Sequence, residues 1–480
     1  MVNKILKVVP LILLPFLSLA NESDVAKNLD AFIQQMQQQN IFNGSVAIIE
    51  NGELIYSNSV GYTNFDKAAR LSGDSVFNIG SISKEFTAMS VLLLLDENKL
   101  TLKDPLSLYF PQLPDWADKI EIAHLLSHSS GLPDAGYKEG LQNDQLITEL
   151  QKVAQLKFSP GAETLYGSYG YQLLAMIVEK VSKQSFGDFV KKRIFRPLDM
   201  KSSYVLGTQP DNVVQLAKAY EFGSENIPKD YTLGAGNIYS NAADLLKWDR
   251  ALFTHSLVKE ATLQQALKSF KCWGNDCRLN VDFGIGVYEN NQLSGIHHHG
   301  GFGGYQSMLY RFPNKNRAIA FTANNGLELQ YNDIRFTLMA ILDGETPVYP
   351  KKDAHIVFYD KLVTKGFEEA KSAYLAISKK TDSYDVNEKD MNSIGYFLLS
   401  TNKPDLALST FKFCSEQFPD SANIWDSYGE ALEKSKDLKA ASLAYQRALK
   451  LATAAKNEEL VKSIQKNLLR VTDLTGKAHE

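Results

Sequence analysis

The spacing of apolar positions changes several times along the chain, and each pattern predicts a different element. Apolar residues recur every three to four positions over 23–39, which predicts an amphipathic helix. Residues 44–56 place apolar runs on either side of Asn51 and Gly52, which predicts a β-hairpin. A strongly apolar stretch over 82–97 predicts a buried helix. Later alternating stretches predict antiparallel strands at 281–289, 305–312 and 317–323.

These elements indicate a mixed domain over residues 21–345. Sheet segments lie at both ends of it, and residues 100–230 between them are mostly helical segments and loops with many Gly and Pro turns. We therefore expect an α/β (α+β) domain with an antiparallel sheet and a helical subdomain. Residues 343–352 carry two prolines, a glycine and two lysines, which is typical of a linker.

Beyond the linker, the chain repeats itself with a period of 34 residues. Small and large apolar residues recur at this spacing, with Gly395 and Gly429 as one such pair. The period and the placement of small residues resemble the tetratricopeptide repeat. The resemblance implies an all-α repeat domain over 346–480, acting either as a structural appendage or as a docking surface for a protein partner. The first helix pair and the capping helix are expected at 355–378 and 457–472.

The N-terminal segment 1–20 has the pattern of a secretory signal peptide. Lys4 and Lys7 precede a short apolar run, and small residues end at Ala20, where cleavage is expected. A membrane anchor is the alternative, but the run is shorter than the ~20 residues that span a bilayer. We expect an exported protein, periplasmic or secreted, with no membrane span after cleavage.

Composition and charge narrow the class of protein further. The chain is 44% hydrophobic and 22% charged, which excludes a disordered chain and a multi-span membrane protein. The net charge of −4 offers no general basic field for nucleic acid. Cys272 and Cys277 are five residues apart around a turn, so a local disulfide is plausible after export, with two unpaired thiols as the alternative. Cys414 fits a helix core.

The residues with the clearest chemistry are Ser81 and Lys84, at the start of the predicted 82–97 helix. Side chains three apart share a helix face, so the Lys84 amine can lie beside the Ser81 hydroxyl. Serine is a weak nucleophile until a neighbouring group takes its proton. The spacing alone is common by chance, and Ser83, between the pair, is expected to point elsewhere.

Further segments give this pair a context. Residues 77–88 resemble the nucleophile segment of the serine β-lactamase and penicillin-binding-protein superfamily, in the branch of class C β-lactamases, D-alanyl-D-alanine carboxypeptidases and esterases. Four more segments resemble family elements and occur in the family's order. They are residues 124–133, 166–174, 236–244 and 298–307.

The resemblance implies roles for individual residues. Ser81 would attack a carbonyl and become acylated, while Lys84 and Tyr166 would share the proton transfers, in an order that the sequence leaves open. The oxyanion would be held by the backbone N–H groups of Ser81 and Gly301, if the third family element begins at His298. A start one residue later would make Phe302 the second donor.

Two positions depart from the family pattern. Ser168 replaces the usual asparagine and cannot offer an amide to substrate, and His298 replaces the usual lysine. A neutral histidine anchors a substrate carboxylate more weakly than lysine. Both changes argue against an efficient β-lactamase. Gly300 and its neighbouring glycines are expected to let the backbone approach the substrate closely.

Several histidines have other interpretations. His297, His298 and His299 form a candidate zinc cluster, but adjacent strand residues point to opposite faces. His124 and His128 are four residues apart and could share a helix face, most simply as hydrogen-bonded structural residues.

The sequence thus favours an exported serine hydrolase that acts through a Ser81 acyl-enzyme. Its substrate would be an ester, a D-amino-acid peptide or amide, or a β-lactam, and no cofactor or metal is implied. One alternative is a carboxypeptidase or β-lactamase in cell-wall metabolism. Another is a catalytically weak scaffold that binds a protein through its repeats.

Overall fold

The computed structural model describes residues 17–133, 141–209, 215–221, 224–225, 232–326 and 331–477. Residues 1–16 of the predicted signal segment lie outside the described residues. The chain divides into two compact units, with the boundary between Tyr349 and Pro350. In the described residues, no helix is both long and apolar enough to cross a membrane.

The first unit contains strands from its beginning to its end, separated by a helical middle section. The described strands are β1 Gly44–Glu50, β2 Glu53–Val60, β3 Ser75–Asn78, β4 Tyr204–Val205, β5 Gln215–Leu216, β6 Tyr220–Glu221, β7 Ser224–Glu225, β8 Ile238–Ser240, β9 Ser269–Trp273, β10 Asp276–Leu279, β11 Ile285–Glu289, β12 Gln292–Phe302, β13 Tyr305–Phe312 and β14 Arg317–Ala323.

Helices of the first unit cover both faces of its main sheet. They are α1 Leu17–Gln38, α2 Ser83–Asp96, α3 Leu106–Tyr109, α4 Ile122–Leu126, α5 Asn143–Gln151, α6 Tyr169–Ser182, α7 Phe186–Val190, α8 Ala242–Phe253, α9 Glu260–Ala266 and α10 Tyr331–Leu342, with 3₁₀ turns at Gly80–Ile82, Asp115–Lys119 and Pro313–Lys315 and a π-turn at Lys191–Phe195.

The main sheet is antiparallel throughout, in the order β2-β1-β14-β13-β12-β11-β10-β9. Its central strand β14 is buried along its whole length, because helices pack on both faces. Ile319 and Phe321 meet α1 and α10 on one face, whereas Ala318 and Ala320 belong to the core that contains α2 and α6. This two-sided burial explains why β14 is a continuous apolar run.

Most predicted elements of this unit form, with three corrections. The helix predicted over 23–39 begins earlier, at Leu17. The strand predicted over 281–289 begins at Ile285, because Val281 and Phe283 enter the helix-side core as irregular chain. His124 and His128 do not share a helix face, since α4 ends at Leu126 and His128 has a left-handed backbone.

The second unit is helical apart from a short parallel strand pair. Gly395 faces the ring of Phe411, where an added Cβ would lie 2.5 Å from ring carbons, and Gly429 faces Tyr445 in the same way. Small residues at these crossings therefore allow close helix packing. The elements are β15 Lys352–Asp353, α11 Ala354–Lys365, α12 Phe367–Ile377, β16 Tyr384–Asp385, α13 Glu388–Ser400, α14 Pro404–Gln417, α15 Ala422–Lys434, α16 Leu438–Ala454 and α17 Glu458–Lys477.

Candidate active site

Ser81 lies in the 3₁₀ turn that leads into α2, and Lys84 lies in the first turn of α2. The Lys84 Nζ is 3.1 Å from Ser81 Oγ and 3.2 Å from the carbonyl oxygen of Ala235. Lys84 is buried, whereas Ser81 is partly exposed. The buried amine is therefore held against a hydroxyl that a ligand can reach. Ser83 points elsewhere, and its Oγ accepts a hydrogen bond from Ile238 N–H.

The Ser81 turn packs directly on strand β12. Gly80 has φ +50°, and a Cβ there would lie 2.7 Å from the backbone nitrogen of Gly301. A Cβ on Gly300 would overlap the carbonyl oxygen of Ile79, and Ser307 Oγ donates to that oxygen at 2.8 Å. Only glycines permit this close approach, which brings the backbone of exposed Gly301 next to the turn that carries Ser81.

Tyr166 lies beside this pair, with its side chain 39% exposed. The Lys84 Nζ is 4.8 Å from the centre of its ring, and the ring of His128 is 4.5 Å away, centre to centre. The backbone N–H of Leu165 donates to the carbonyl oxygen of His128 at 2.8 Å. The loop containing His128 therefore fixes the segment that presents the tyrosine.

A carboxylate that the sequence analysis missed links two histidines at this site. Asp282 Oδ2 accepts a hydrogen bond from His128 Nε2 at 2.9 Å, and Asp282 Oδ1 is 3.2 Å from His298 Nε2 in an ion-pair contact. The other nitrogens also have partners: His128 Nδ1 accepts from Gly167 N–H at 3.4 Å, and His298 Nδ1 is 3.0 Å from the carbonyl oxygen of His299. All three side chains are buried.

Burial and this shared carboxylate shift the pKa values of the two histidines in opposite directions. Burial lowers the pKa of His128 and outweighs the raising effect of Asp282. Burial also lowers the pKa of His298, but the charge and hydrogen bond of Asp282 outweigh it and the net pKa is raised. Burial raises the pKa of Asp282, yet its contacts with His298 and His128 bring the pKa well below its usual value. The geometry favours neutral His128 and a charged His298–Asp282 pair.

The remaining predicted residues are Ser168, two residues after Tyr166, and the three adjacent histidines on β12. Ser168 precedes α6 as its N-cap residue. The three adjacent histidines face different partners, since His297 stacks on Tyr310, His298 faces Asp282, and His299 bonds to Gln306. Their nitrogens therefore do not converge on one point as the zinc interpretation requires.

The two cysteines five residues apart are joined in a disulfide that bridges β9 and β10. Cys414 is buried in α14, and burial raises its pKa to about 12. Arg278 follows the second bridged cysteine, and its guanidinium carbon is 5.1 Å from the centre of the Tyr166 ring. The sequence analysis did not single out this arginine.

A second buried charge cluster links α2 to the main sheet. Arg311 on β13 pairs with Glu85, the residue after Lys84, at 2.5 Å and with Asp249 at 2.6 Å, and Trp248 donates to Glu85 at 2.6 Å. This cluster ties α2, the helix that carries Lys84, to the sheet. Neither it nor Asp282 could be found from local spacing, although a lone Asp in the apolar stretch 281–289 was a weak signal.

Comparison with known proteins places this geometry in a family. The Beta-lactamase family profile matches residues 29–343. The chain is 27% identical over 358 residues to Penicillin-binding protein 4* of Bacillus subtilis (strain 168), covering 68% of this chain and 78% of that protein. It is 27% identical over 321 residues to Teichoic acid D-alanine hydrolase of Staphylococcus aureus (strain NCTC 8325 / PS 47), covering 64% and 77%.

Solved structures share the fold. The octameric penicillin-binding protein homologue from Pyrococcus abyssi superposes with a TM-score of 0.58 at 24% identity, covering 68% of this chain and 78% of that one. A class C beta-lactamase also superposes with a TM-score of 0.58, at 22% identity, covering 69% of this chain and 99% of that one. The fold and the profile match agree, and the chain belongs to the beta-lactamase family, within the superfamily of penicillin-binding proteins and class C β-lactamases.

Proposed function

We propose that the protein is an exported serine hydrolase that forms an acyl-enzyme on Ser81, with an ester or amide of a D-amino acid as its main substrate class. The observation that carries this proposal is the 3.1 Å contact between Lys84 Nζ and the partly exposed Ser81 Oγ, beside Tyr166. A serine poised next to a lysine and a tyrosine is the arrangement that activates a hydroxyl for attack.

The proposed reaction proceeds in two halves. Ser81 Oγ adds to the carbonyl carbon and its proton passes to Lys84 or Tyr166, while the oxyanion forms between the N–H groups of Ser81 and Gly301. The bond to the leaving group then breaks, and the leaving group takes up the proton. Water adds to the acyl ester, releases the acid and returns a proton to Ser81.

The site favours ester substrates over β-lactams. His298 occupies the position of the family's lysine, but both of its ring nitrogens already face protein groups. His298 is buried and its charge is balanced by Asp282, so we expect it to anchor a substrate carboxylate more weakly than a lysine would. Ser168 has no amide to offer. The relative named Teichoic acid D-alanine hydrolase supports a D-alanyl ester as the first substrate to test.

Turnover of model substrates tests this proposal. We expect the purified protein to hydrolyse p-nitrophenyl esters, and Ser81→Ala to lower kcat/KM by about 10³-fold or more. Ser83→Ala is the matched control, because it removes the neighbouring hydroxyl but leaves the nucleophile in place. Nitrocefin cleavage should be slow. Equal ester turnover in the wild type and Ser81→Ala would contradict the proposal.

A carboxypeptidase or β-lactamase in cell-wall metabolism is the second candidate. It is supported by the similarity to Penicillin-binding protein 4*. Fluorescent penicillin separates the candidates, because a wall peptidase is acylated by it whereas an esterase in which His298 replaces the family's lysine is labelled slowly. Rapid nitrocefin turnover would favour the β-lactamase.

The second unit is proposed to be a tetratricopeptide-repeat domain that docks a protein partner. Two contacts support this proposal: Gly395 packs against Phe411, and Gly429 packs against Tyr445 in the same way. Each residue of the second pair lies 34 positions after its counterpart in the first pair. If the hydrolase site proved inactive, this unit would act as a scaffold. Export is tested separately: the secreted protein should begin at Asn21 when its N-terminus is sequenced.

A further inference from the structure

Arg278 lies beside the Tyr166 ring, and no carboxylate of the described residues pairs with its positive charge. In the described part of the chain, its guanidinium makes no hydrogen bond or ion pair, and its Nε is buried without a partner. The arginines Arg311 and Arg317, in contrast, each bind two carboxylates. A buried donor left unpaired is destabilising, so its position calls for an explanation.

The sheet places this arginine in register with the part of β12 that leads to the Ser81 turn. Arg278 on β10 lies opposite Ile285 on β11, which lies opposite His297 on β12. The described pairing of β11 with β12 reaches no further than His297 in this direction. Beyond it lie His298 and the glycines next to Ser81, where β12 has no further described pairing with β11. The guanidinium extends from this rung to the Tyr166 ring.

The hairpin that carries Arg278 is held in shape by a covalent bond. Cys277, the preceding residue, is buried and forms the disulfide with Cys272 on the adjacent strand. A cation on a cross-linked hairpin is positioned before any ligand arrives, which reduces the entropy lost on binding.

We propose that Arg278 binds an anionic group of the substrate, a carboxylate or a phosphate, next to the bond that Ser81 attacks. This inference rests on the proposed function and specifies its substrate class. His298 is the less suitable group for that contact, because it is buried and its Nε2 lies 3.2 Å from the Asp282 carboxylate, which balances its charge. Arginine suits the task, since its planar fork binds carboxylate and phosphate oxygens with two parallel N–H bonds. The anion would occupy the space beside the exposed edge of Tyr166.

Two esters with the same acyl group test the inference, one with a neutral p-nitrophenol leaving group and one with a carboxylated nitrophenol. Arg278→Gln should lower kcat/KM for the carboxylated ester by about 10- to 100-fold more than for the neutral ester. Arg278→Lys should restore part of the difference. Lys271→Gln is the matched control, because Lys271 is exposed directly across the hairpin.

A binding measurement keeps this inference separate from the proposed function. NMR titration of benzoate and phenylphosphate into wild type, Arg278→Gln and Lys271→Gln needs no turnover. Loss of binding in Arg278→Gln alone supports the anion site even if neither ester is hydrolysed, and the anion that binds more tightly identifies carboxylate or phosphate. Equal loss for both esters would make Arg278 a support for Tyr166 and overturn the inference, as would anion binding unchanged in Arg278→Gln.

Discussion

Asp282→Asn is the most informative single substitution at this site. The carboxylate is buried and contacts His128 at 2.9 Å and His298 at 3.2 Å. An asparagine of the same size keeps one acceptor oxygen but turns an N–H₂ group toward the other histidine. One histidine therefore loses its acceptor, and the charged His298–Asp282 pair is removed.

The expected cost follows from these two contacts. A hydrogen bond to a charged group contributes about 1.5–3 kcal/mol, and the longer contact to His298 counts at the lower end. We expect Asp282→Asn to destabilise the first unit by about 2–4 kcal/mol. For a domain of this size, each kcal/mol lowers the unfolding midpoint by roughly 1.5 °C, which gives a shift of about 3–6 °C.

The pH dependence of this cost has a defined sign. The raised pKa of His298 means that its contribution is fully present below its unfolded value of 6.5 and is lost as the pH rises through its folded pKa. The lowered pKa of Asp282 means that its contribution is present above 3.8 and is lost as the pH falls through its folded pKa. The midpoint difference should therefore be largest in the mildly acidic range and shrink toward alkaline pH.

Differential scanning calorimetry between pH 5 and 9 measures this shift. Asp276→Asn is the matched control, because Asp276 is an exposed carboxylate on the same hairpin as Arg278. It should change the free energy of unfolding by less than about 0.5 kcal/mol. Equal midpoints for Asp282→Asn and the control, or a difference that grows with pH, would refute the reasoning about the carboxylate.

Three further substitutions test other parts of the structure. Gly300→Ala should abolish most ester turnover and cost about 1–3 kcal/mol of stability, because its Cβ overlaps the Ser81 turn, whereas Gly73→Ala has open space and should be neutral. Burial raises the pKa of Asp249 to about 6, so the folded state binds a proton more tightly than the unfolded state. As the pH falls from 7 to 4, the free energy of unfolding of the wild type should therefore rise by up to about 3 kcal/mol relative to Asp249→Asn. Urea titrations measure this difference. Gly395→Ala places a Cβ 2.5 Å from the Phe411 ring and should lower the calorimetric midpoint of the second unit while ester turnover persists.

Each of these predictions has a contradicting outcome. Full turnover in Gly300→Ala would mean that the turn does not need its close contact with β12. Parallel stability curves for wild type and Asp249→Asn would remove the proposed proton uptake. An unchanged transition of the second unit in Gly395→Ala would show that this helix crossing has room for a side chain.

The sequence predicts local patterns well where neighbouring residues decide the structure. The hairpin around Asn51 and Gly52 forms because both residues adopt positive φ, and strands β13 and β14 match their predicted bounds. The spacing of Ser81 and Lys84 likewise predicts their contact, because three residues span one turn.

Residues that meet only through the fold could not be predicted in this way. Asp282 joins His128 from a position 154 residues away, and Arg311 reaches Glu85 across 226 residues. Nothing in local periodicity reports such pairs, and a single aspartate in an apolar stretch has many explanations. The sequence analysis did not identify Arg278 for the same reason, because its interest comes from its position beside the Tyr166 ring.

The central claim is that Ser81 is the nucleophile of an acyl-transfer site. Intact-mass spectrometry after reaction with a fluorophosphonate, followed by peptide mapping, tests it directly. We predict one adduct per chain on the peptide that contains Ser81, retained in Ser83→Ala and absent in Ser81→Ala. An adduct on another residue, or equal labelling of Ser81→Ala, would contradict the claim.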